Sequence, residues 1–183
     1  AGLPAAAVPV ADLSADRLGQ TVAVEGTVAD ATSFSGGFRL ALDDGSGRVD
    51  VVVWHTVYDE LPDPASLAVG ARVRAAGTVD LYADALQVVP RVAADLTVLA
   101  PGTAAPLRTA ASLGPVDVGA RLAIAGTIAR IESFSGGRRL WIADDTGETL
   151  VVLWEAIDRR VPGRDRLISG AQVRAAGTVQ EYR

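Results

Sequence analysis

The stretch LALDDGSGRVDVVVW, residues 40–54, decides the fold of this chain. Two runs in which apolar and polar residues alternate flank the turn residues DGSG at 44–47. This pattern is typical of two half-buried antiparallel strands joined by a tight turn. The alternation predicts that Leu40 and Leu42 face the core and that Arg39 faces solvent.

The alternation continues on both sides of this pair. Residues 21–31 predict a long strand that bends at Gly26, and residues 71–79 and 84–92 predict two further strands. Between them, residues 57–70 lose the alternation and contain prolines, so a short helix fits only there. Three strands, a short helix or loop and two more strands, in under about 100 residues, are the order expected of a small closed barrel.

The whole unit occurs twice. When residues 19–83 are aligned with residues 119–183, 29 of the 65 positions are identical. VRAAGTV at 73–79 recurs intact at 173–179. Such self-similarity at a fixed spacing indicates two copies of one structural unit. Since only Arg183 follows the second copy of the fourth strand, the second unit is predicted to lack its last strand.

The sequence therefore predicts four segments. They are an extended N-terminal segment (1–14), a first barrel (15–99), a Pro/Ala-rich linker (100–111) and a second barrel that is incomplete at its C-terminus (112–183). An open barrel leaves backbone groups unpaired, which soluble proteins seldom tolerate. A longer parent chain, coordinates that end early, or a strand donated by another chain would each account for it. The apolar residues 3–13 are a candidate donor.

Composition argues against catalysis. Cysteine, methionine, lysine and asparagine are absent, and His55 is the single histidine. Thiolate chemistry, cysteine metal sites and histidine clusters are thereby excluded, and no phosphate-binding loop of the GxxxxGK type occurs. The acidic turns at 43–47 and 144–147 lack the spacing of an EF-hand calcium loop and read as hairpin turns. We expect no enzyme activity, no metal, no cofactor and no membrane span.

The charge of −5 is unevenly divided. Residues 1–100 carry 6 arginines and 13 acidic residues, whereas residues 101–183 carry 11 arginines and 9 acidic residues. If one unit binds an anion, we expect it to be the second. Four of its arginines, at 159, 160, 164 and 166, align with Asp59, Glu60, Pro64 and Ser66, which also suggests charge complementarity between copies.

The chain does not begin with methionine, and its first residues are AGLPAAAVPVADL. Removal of a secretory signal before Ala1 would explain this start, as would trimming of a longer polypeptide. The first explanation favours an extracytoplasmic or secreted location over the cytoplasm.

A family resemblance joins these observations. LALDDGSGRVDVVVW, preceded by VAVEGTV and followed by VGARVRAAGTVDLYADALQVVP, resembles the OB-fold family of anticodon-binding and single-strand-binding modules, and IADDTGETLVVLWEAI resembles a second member. The resemblance implies an all-β fold of two tandem five-stranded barrels. It also implies a ligand face across strands two and three of each barrel.

On that face, Trp141 beside Arg139 is the best single stacking site, with a phosphate near Arg138 or Arg139. Trp141 could instead pack against a neighbouring unit or chain. Phe34 and Phe134, in the repeated SFSGG loops, are expected to be structural more often than ligand-binding. The further candidates are Arg39, Arg48, Trp54 and Trp154, and both tryptophans are expected to pack beneath the short helix.

Two functions follow. The first is a non-catalytic binding module for single-stranded nucleic acid or a similar oligomer. The second is an extracytoplasmic structural module that assembles with further copies of itself, by contacts between barrels or by strand completion between chains.

Overall fold

The computed structural model describes residues 6–182, so the first five residues of the predicted N-terminal segment, and Arg183, lie outside the described part. The chain divides into two compact units, Ala1–Thr103 and Ala104–Arg183. Strands are the main regular structure of both, as the sequence predicts.

Unit 1 is a closed barrel. Its elements are β1 (Thr21–Phe34), β2 (Gly37–Asp43), β3 (Arg48–Trp54), α1 (His55–Tyr58), β4 (Arg72–Tyr82), β5 (Ala85–Val89) and β6 (Leu96–Ala100). The strands pair in the order β1-β2-β3-β5-β4, and β4 pairs with β1 again to close the sheet. β3 and β5 are parallel, whereas the other pairs are antiparallel. β6 adds to the outer edge of β4 and was not expected from the sequence.

A single long strand, β1, pairs with both β4 and β2. Residues 21–27 pair with β4, and residues 27–34 pair with β2 with a register shift between Val28 and Asp30. Gly26 lies at this bend, where an added Cβ would be 2.7 Å from the carbonyl oxygen of Asp43. Glycine is therefore required there, because any side chain would collide with the neighbouring backbone.

Small branched side chains fill the first barrel. The fully buried residues include Val24, Val28, Leu42, Val51, Val53, Val73, Val79 and Val88. They come from all five barrel strands, so closing the sheet also builds the core. The interior is filled by side chains and is not a channel, as expected for a barrel of this size.

Unit 2 repeats this arrangement as far as the fourth barrel strand. Its elements are β7 (Leu107–Arg108), β8 (Arg121–Phe134), β9 (Gly137–Asp144), β10 (Gly147–Trp154), α2 (Glu155–Asp158) and β11 (Gln172–Thr178). The order is β10-β9-β8-β11, with β7 parallel to β8. No strand among residues 104–182 lies between β10 and β11, where unit 1 has β5. Val151 and Val173 are accordingly part-exposed, whereas their counterparts Val51 and Val73 are buried.

A short extended segment precedes each barrel and is held in the same way. In unit 1, Ala7 bridges Ala23 and Val10 is buried in the core. In unit 2, β7 pairs with residues 123–124, so pairing with the second barrel begins inside the stretch that the sequence assigns to the linker. The described part of the N-terminal segment therefore packs on its own unit rather than extending as a free donor strand.

Aspartates in the hairpin turns fix these segments. The Asp44 carboxylate accepts hydrogen bonds from the Val10 backbone N–H at 2.8 Å and the Ser46 hydroxyl at 2.7 Å, and these lower the pKa of Asp44 to about 2. In unit 2, the Thr146 hydroxyl and the Ala110 backbone N–H likewise lower the pKa of Asp144 to about 2. Both turns thus fix the extended segment that precedes their barrel.

Candidate nucleic-acid interface

The side chains that alternate with the core residues form an outer face on each barrel. Leu40 and Leu42 are buried, with 3% and 0% exposed, and so are Leu140 and Ile142, with 4% and 0%. Their neighbours in sequence therefore point away from the core. We call the outward side of β1–β3 the unit 1 face and that of β8–β10 the unit 2 face.

An aromatic pair lies at one end of each face. In unit 1, Phe34 and Trp54 meet edge to face with ring centroids 5.6 Å apart, and in unit 2, Phe134 and Trp154 do so at 5.8 Å. Trp54 is 46% exposed and Trp154 is 53% exposed. The expectation that the tryptophans pack beneath the short helix is wrong. Alternate residues of β3 point outward as far as Trp54, its last residue, so the indole lies on the surface.

The SFSGG motif makes room for this pair. An added Cβ at Gly36 would lie 2.6 Å from the Trp54 ring, and one at Gly136 would lie 2.8 Å from the Phe134 ring. The carbonyl of Gly36 also accepts a hydrogen bond from the His55 backbone N–H at 2.9 Å, just after the tryptophan. The glycine therefore lets the loop fold tightly against two rings.

An arginine lies near a tyrosine in both units. The Arg39 guanidinium lies 5.5 Å from the centre of the Tyr82 ring, and the Arg139 guanidinium lies 5.7 Å from that of Tyr182. Arg139 also lies 4.6 Å from the Phe134 ring. Both tyrosines are about 60% exposed, at 62% and 61%. Sequence reasoning missed them, although a tyrosine three residues after each VRAAGTV was a visible signal.

The unit 1 face carries acidic groups. Asp30, Ala41 and Asp50 are cross-strand neighbours on β1, β2 and β3, and we call them the unit 1 row. Asp50 lies 3.5 Å from the Nε atom of Arg39, so the arginine is paired with a carboxylate. A shallow depression of about 140 Å³ adjoins this pair and is also lined by Tyr82.

The unit 2 face has different residues at the same three positions. Arg130, Trp141 and Leu150 are cross-strand neighbours on β8, β9 and β10, and we call them the unit 2 row. The Arg130 guanidinium lies 3.9 Å from the centre of the Trp141 ring and 3.9 Å from the Glu148 carboxylate. Trp141 is thus part-buried beneath an arginine of its own unit.

Arg138 does not share the outer face with Arg139. Its side chain is 13% exposed and donates to the Asp158 carboxylate, with Nε at 2.8 Å, and Asp158 also binds Arg164. Burial alone would raise the pKa of Asp158, but the hydrogen bonds and charges of the two arginines lower it below its usual value. A phosphate at Arg138, one of the sequence expectations, would have to displace a buried carboxylate.

Arg48 lies at the far edge of the unit 1 face. Its Nε atom is 2.8 Å from the Asp43 carboxylate, and its side chain is 67% exposed. That hydrogen bond and one from the Gly45 backbone N–H lower the pKa of Asp43. Arg48 is therefore already neutralised by a neighbour on its own face.

The described residues offer no metal centre. Within residues 6–182 no three carboxylate or imidazole groups lie close enough together to hold a metal ion. In that same part of the chain, no helix has the length and apolar character needed to cross a bilayer.

The sequence pattern of the tRNA_anti-codon family, described as an OB-fold nucleic acid binding domain, matches residues 22–96. These residues comprise β1 to β5 and the start of β6. The first unit therefore contains an OB-fold domain. The second unit repeats its strand order and register through the fourth barrel strand, so the chain has a tandem OB-fold architecture.

No curated protein matches the chain in sequence. Similar solved structures include asparaginyl-tRNA synthetase from Pyrococcus horikoshii, complexed with asparaginyl-adenylate, at 18% identity and a TM-score of 0.47, covering 54% of this chain and 23% of that one. An OBody bound to hen egg-white lysozyme has 19% identity and a TM-score of 0.44, covering 55% and 100%. The S. pombe Stn1–Ten1 complex has 20% identity and a TM-score of 0.37, covering 43% and 57%. The chain thus spans about a quarter of the synthetase's length.

Proposed function

We propose that this chain is a non-catalytic module that binds single-stranded nucleic acid on the outer faces of its OB-fold barrels. One observation carries the proposal. On both faces a phenylalanine packs against a tryptophan and an arginine lies near a tyrosine, and the tryptophans and tyrosines are about half exposed or more. Large aromatic groups left on the surface at matched positions in two copies are a favourable arrangement for stacking ligands.

The chemistry of these groups fits an unpaired nucleotide. Bases stack on aromatic rings whatever their sequence, and each stacked base contributes roughly 1–3 kcal/mol. A guanidinium held against rings keeps its N–H groups free to donate to a phosphate. Trp54 and Trp154 supply the stacking surfaces in this proposal, and Arg139 supplies the phosphate contact.

Flanking groups extend the same surface. Arg130 covers the Trp141 ring and presents a planar cation on which a base can stack. Phe34 and Phe134 support the tryptophans from the side. Arg39 contributes less to binding in this account, since Asp50 already pairs with it.

The test is fluorescence anisotropy of labelled oligo-dT of about 16 nucleotides, a length within the range that one OB-fold contacts. Titrations at about 50 and 200 mM salt separate a phosphate contribution from stacking. We expect salt-sensitive binding that quenches tryptophan fluorescence. Arg139→Ala should weaken binding about tenfold or more, since a hydrogen bond to a charged group is worth about 1.5–3 kcal/mol.

Arg166→Ala is the matched control. Arg166 is an exposed arginine of unit 2 that lies outside the face, in the segment between α2 and β11. The control removes the same charge from the same unit, but at a position outside the face. It should therefore change affinity by less than about twofold. Equal losses in the two variants would mean that binding depends on net charge alone, and the face would play no part.

A second candidate is assembly through the barrels. Among the described residues, nothing pairs with β10 and β11 on the sides that β5 occupies in unit 1, so a strand from another copy has a place to add. Sedimentation of the chain alone tests this candidate. Concentration-dependent oligomers would support it, and a monomer at all concentrations would contradict it.

A further inference from the structure

The two faces differ at three contiguous positions in the middle of the sheet. The unit 1 row has two carboxylates flanking an alanine, whereas the unit 2 row has an arginine, a tryptophan and a leucine. The formal charge of the row changes from −2 to +1 between copies whose backbone pairing is otherwise the same. Both members of each cross-strand pair have changed, so the difference affects a contiguous part of the surface.

Arg39 and Arg139, at equivalent positions on β2 and β9, have different neighbours in the two units. Arg39 has Asp50 at 3.5 Å, and the equivalent of Asp50 in unit 2 is Leu150. Among the described residues, Arg139 has no carboxylate within ion-pair distance, although Glu132 is its cross-strand neighbour on β8. Instead, Arg139 lies against two aromatic rings. A phosphate approaching Arg139 therefore displaces no ion pair, whereas one approaching Arg39 must compete with Asp50 and meets Asp30 beside it.

The middle position of the row also favours ligand binding by unit 2. Ala41 offers no ring, whereas Trp141 at the same position carries the Arg130 guanidinium on its face. The unit 2 face thereby gains a stacking group and a second cation together, although Glu148 lies 3.9 Å from that cation. Over the whole units, unit 2 carries more arginines than acidic residues and unit 1 the reverse. Two neighbours on the face change the other way, since Thr32 and Arg48 correspond to Glu132 and Glu148.

We infer that the two rows determine which barrel takes the phosphates: the unit 2 row makes unit 2 the phosphate-binding barrel, and Asp30 and Asp50 exclude phosphate from unit 1. This inference rests on the proposed function and specifies it further. It makes Asp50 a specificity-determining residue, which acts by pairing its carboxylate with the Arg39 guanidinium. The copies have accordingly diverged within one face while keeping the same strand order and register as far as the fourth barrel strand.

The experiment exchanges the rows in the full chain. The loss variant puts the unit 1 row into unit 2 (Arg130→Asp, Trp141→Ala, Leu150→Asp). The gain variant puts the unit 2 row into unit 1 (Asp30→Arg, Ala41→Trp, Asp50→Leu). Each set of residues already occurs at these positions in a barrel of the same pairing, and circular dichroism with thermal unfolding checks that both variants fold.

Labelled oligo-dT is the probe, with affinity and stoichiometry both measured. We expect the loss variant to bind at least about tenfold more weakly and the gain variant to take up a second oligonucleotide per chain. If either exchange prevents folding, Asp50→Asn replaces the gain variant and Trp141→Leu replaces the loss variant. Asp50→Asn should strengthen binding by unit 1 about threefold or more, because it releases Arg39 without adding a contact.

The outcomes separate the two proposals. If the natural chain binds no oligonucleotide, the proposed function fails. If the natural chain binds but Arg39→Ala weakens binding as much as Arg139→Ala does, the proposed function stands and the inference about the rows is wrong. Row exchanges that leave affinity and stoichiometry unchanged would also overturn it.

Discussion

Replacing Asp158 by alanine should destabilise unit 2 strongly. Asp158 is 3% exposed and accepts hydrogen bonds from Arg138 and Arg164. The arginine side chains differ in exposure, at 13% for Arg138 and 52% for Arg164. When the carboxylate is removed, the Arg164 side chain can rotate into solvent, but Arg138 remains largely buried without its counter-ion.

The magnitude follows from this asymmetry. Removing one partner of a buried ion pair costs about 3–5 kcal/mol, because the other charge is left desolvated. Since only Arg138 is trapped, we expect about 3 kcal/mol. For a unit of this size, each kcal/mol lowers Tm by about 4–8 °C, so Tm should fall by about 12–24 °C. Arg164→Ala should cost about 1 kcal/mol or less, since the Arg164 side chain is half exposed and Arg138 still neutralises the carboxylate.

Unit 1 supplies the matched control. At the positions of Arg138 and Asp158 it holds Phe38 and Tyr58, whose rings lie 4.3 Å apart. The double variant Arg138→Phe with Asp158→Tyr installs that aromatic pair in unit 2. It should recover most of the lost stability, since a well-packed apolar pair can replace a buried ion pair without loss.

Unfolding is followed by tryptophan fluorescence in a Trp54→Phe background, where only Trp141 and Trp154, both in unit 2, report. The pH dependence gives a second signature. Because the folded pKa of Asp158 is lowered, its stabilisation is complete above the unfolded value of about 3.9 and is lost as pH falls further. An Asp158→Ala variant within about 0.5 kcal/mol of the natural chain at neutral pH would refute the reasoning.

Three smaller predictions concern other positions. Gly136→Ala should push the Phe134 ring and shift the emission of Trp154 to longer wavelength, at a cost of about 1–3 kcal/mol, whereas Gly114→Ala, where an added Cβ meets nothing within 4 Å, should change neither. Replacing the turn at 83–84, whose φ angles are 48° and 64°, by Asn-Gly should raise the unfolding temperature of unit 1 by about 4–8 °C in calorimetry, because that pair prefers a type I′ turn. Asp144→Asn should destabilise unit 2 at neutral pH and flatten its loss of stability between about pH 4 and 2, since the pKa of Asp144 is lowered to about 2, and an unchanged pH profile would contradict this.

The sequence predicted the barrel because the pattern that specifies it is local. β3 has the predicted bounds, since its alternation begins after Gly47 and ends where α1 begins. β1 extends three residues beyond the prediction because its pairing with β2 continues to Phe34. β6 was missed, because nothing in LTVLA before Pro101 indicates that it pairs with β4. The linker bounds 100–111 stay a prediction.

The face was harder to predict, because its character depends on contacts between residues far apart in sequence. Arg138 and Arg139 are adjacent, yet strand parity sends one toward a carboxylate twenty residues away and the other to the surface. Arg130 was not a candidate because only the β8–β9 register brings it onto Trp141. The register also joins Asp30 to Asp50 through Ala41, which no local pattern reveals.

The central claim is that the outer face of β8–β10 binds single-stranded nucleic acid. Two-dimensional NMR of the ¹⁵N-labelled chain, titrated with oligo-dT of about 16 nucleotides, tests it directly. We expect the largest shifts at the backbone amides of residues 130–141 and 150–154 and at the indole N–H of Trp154. Shifts confined to residues 159–166, or no shifts at saturating oligonucleotide, would contradict it.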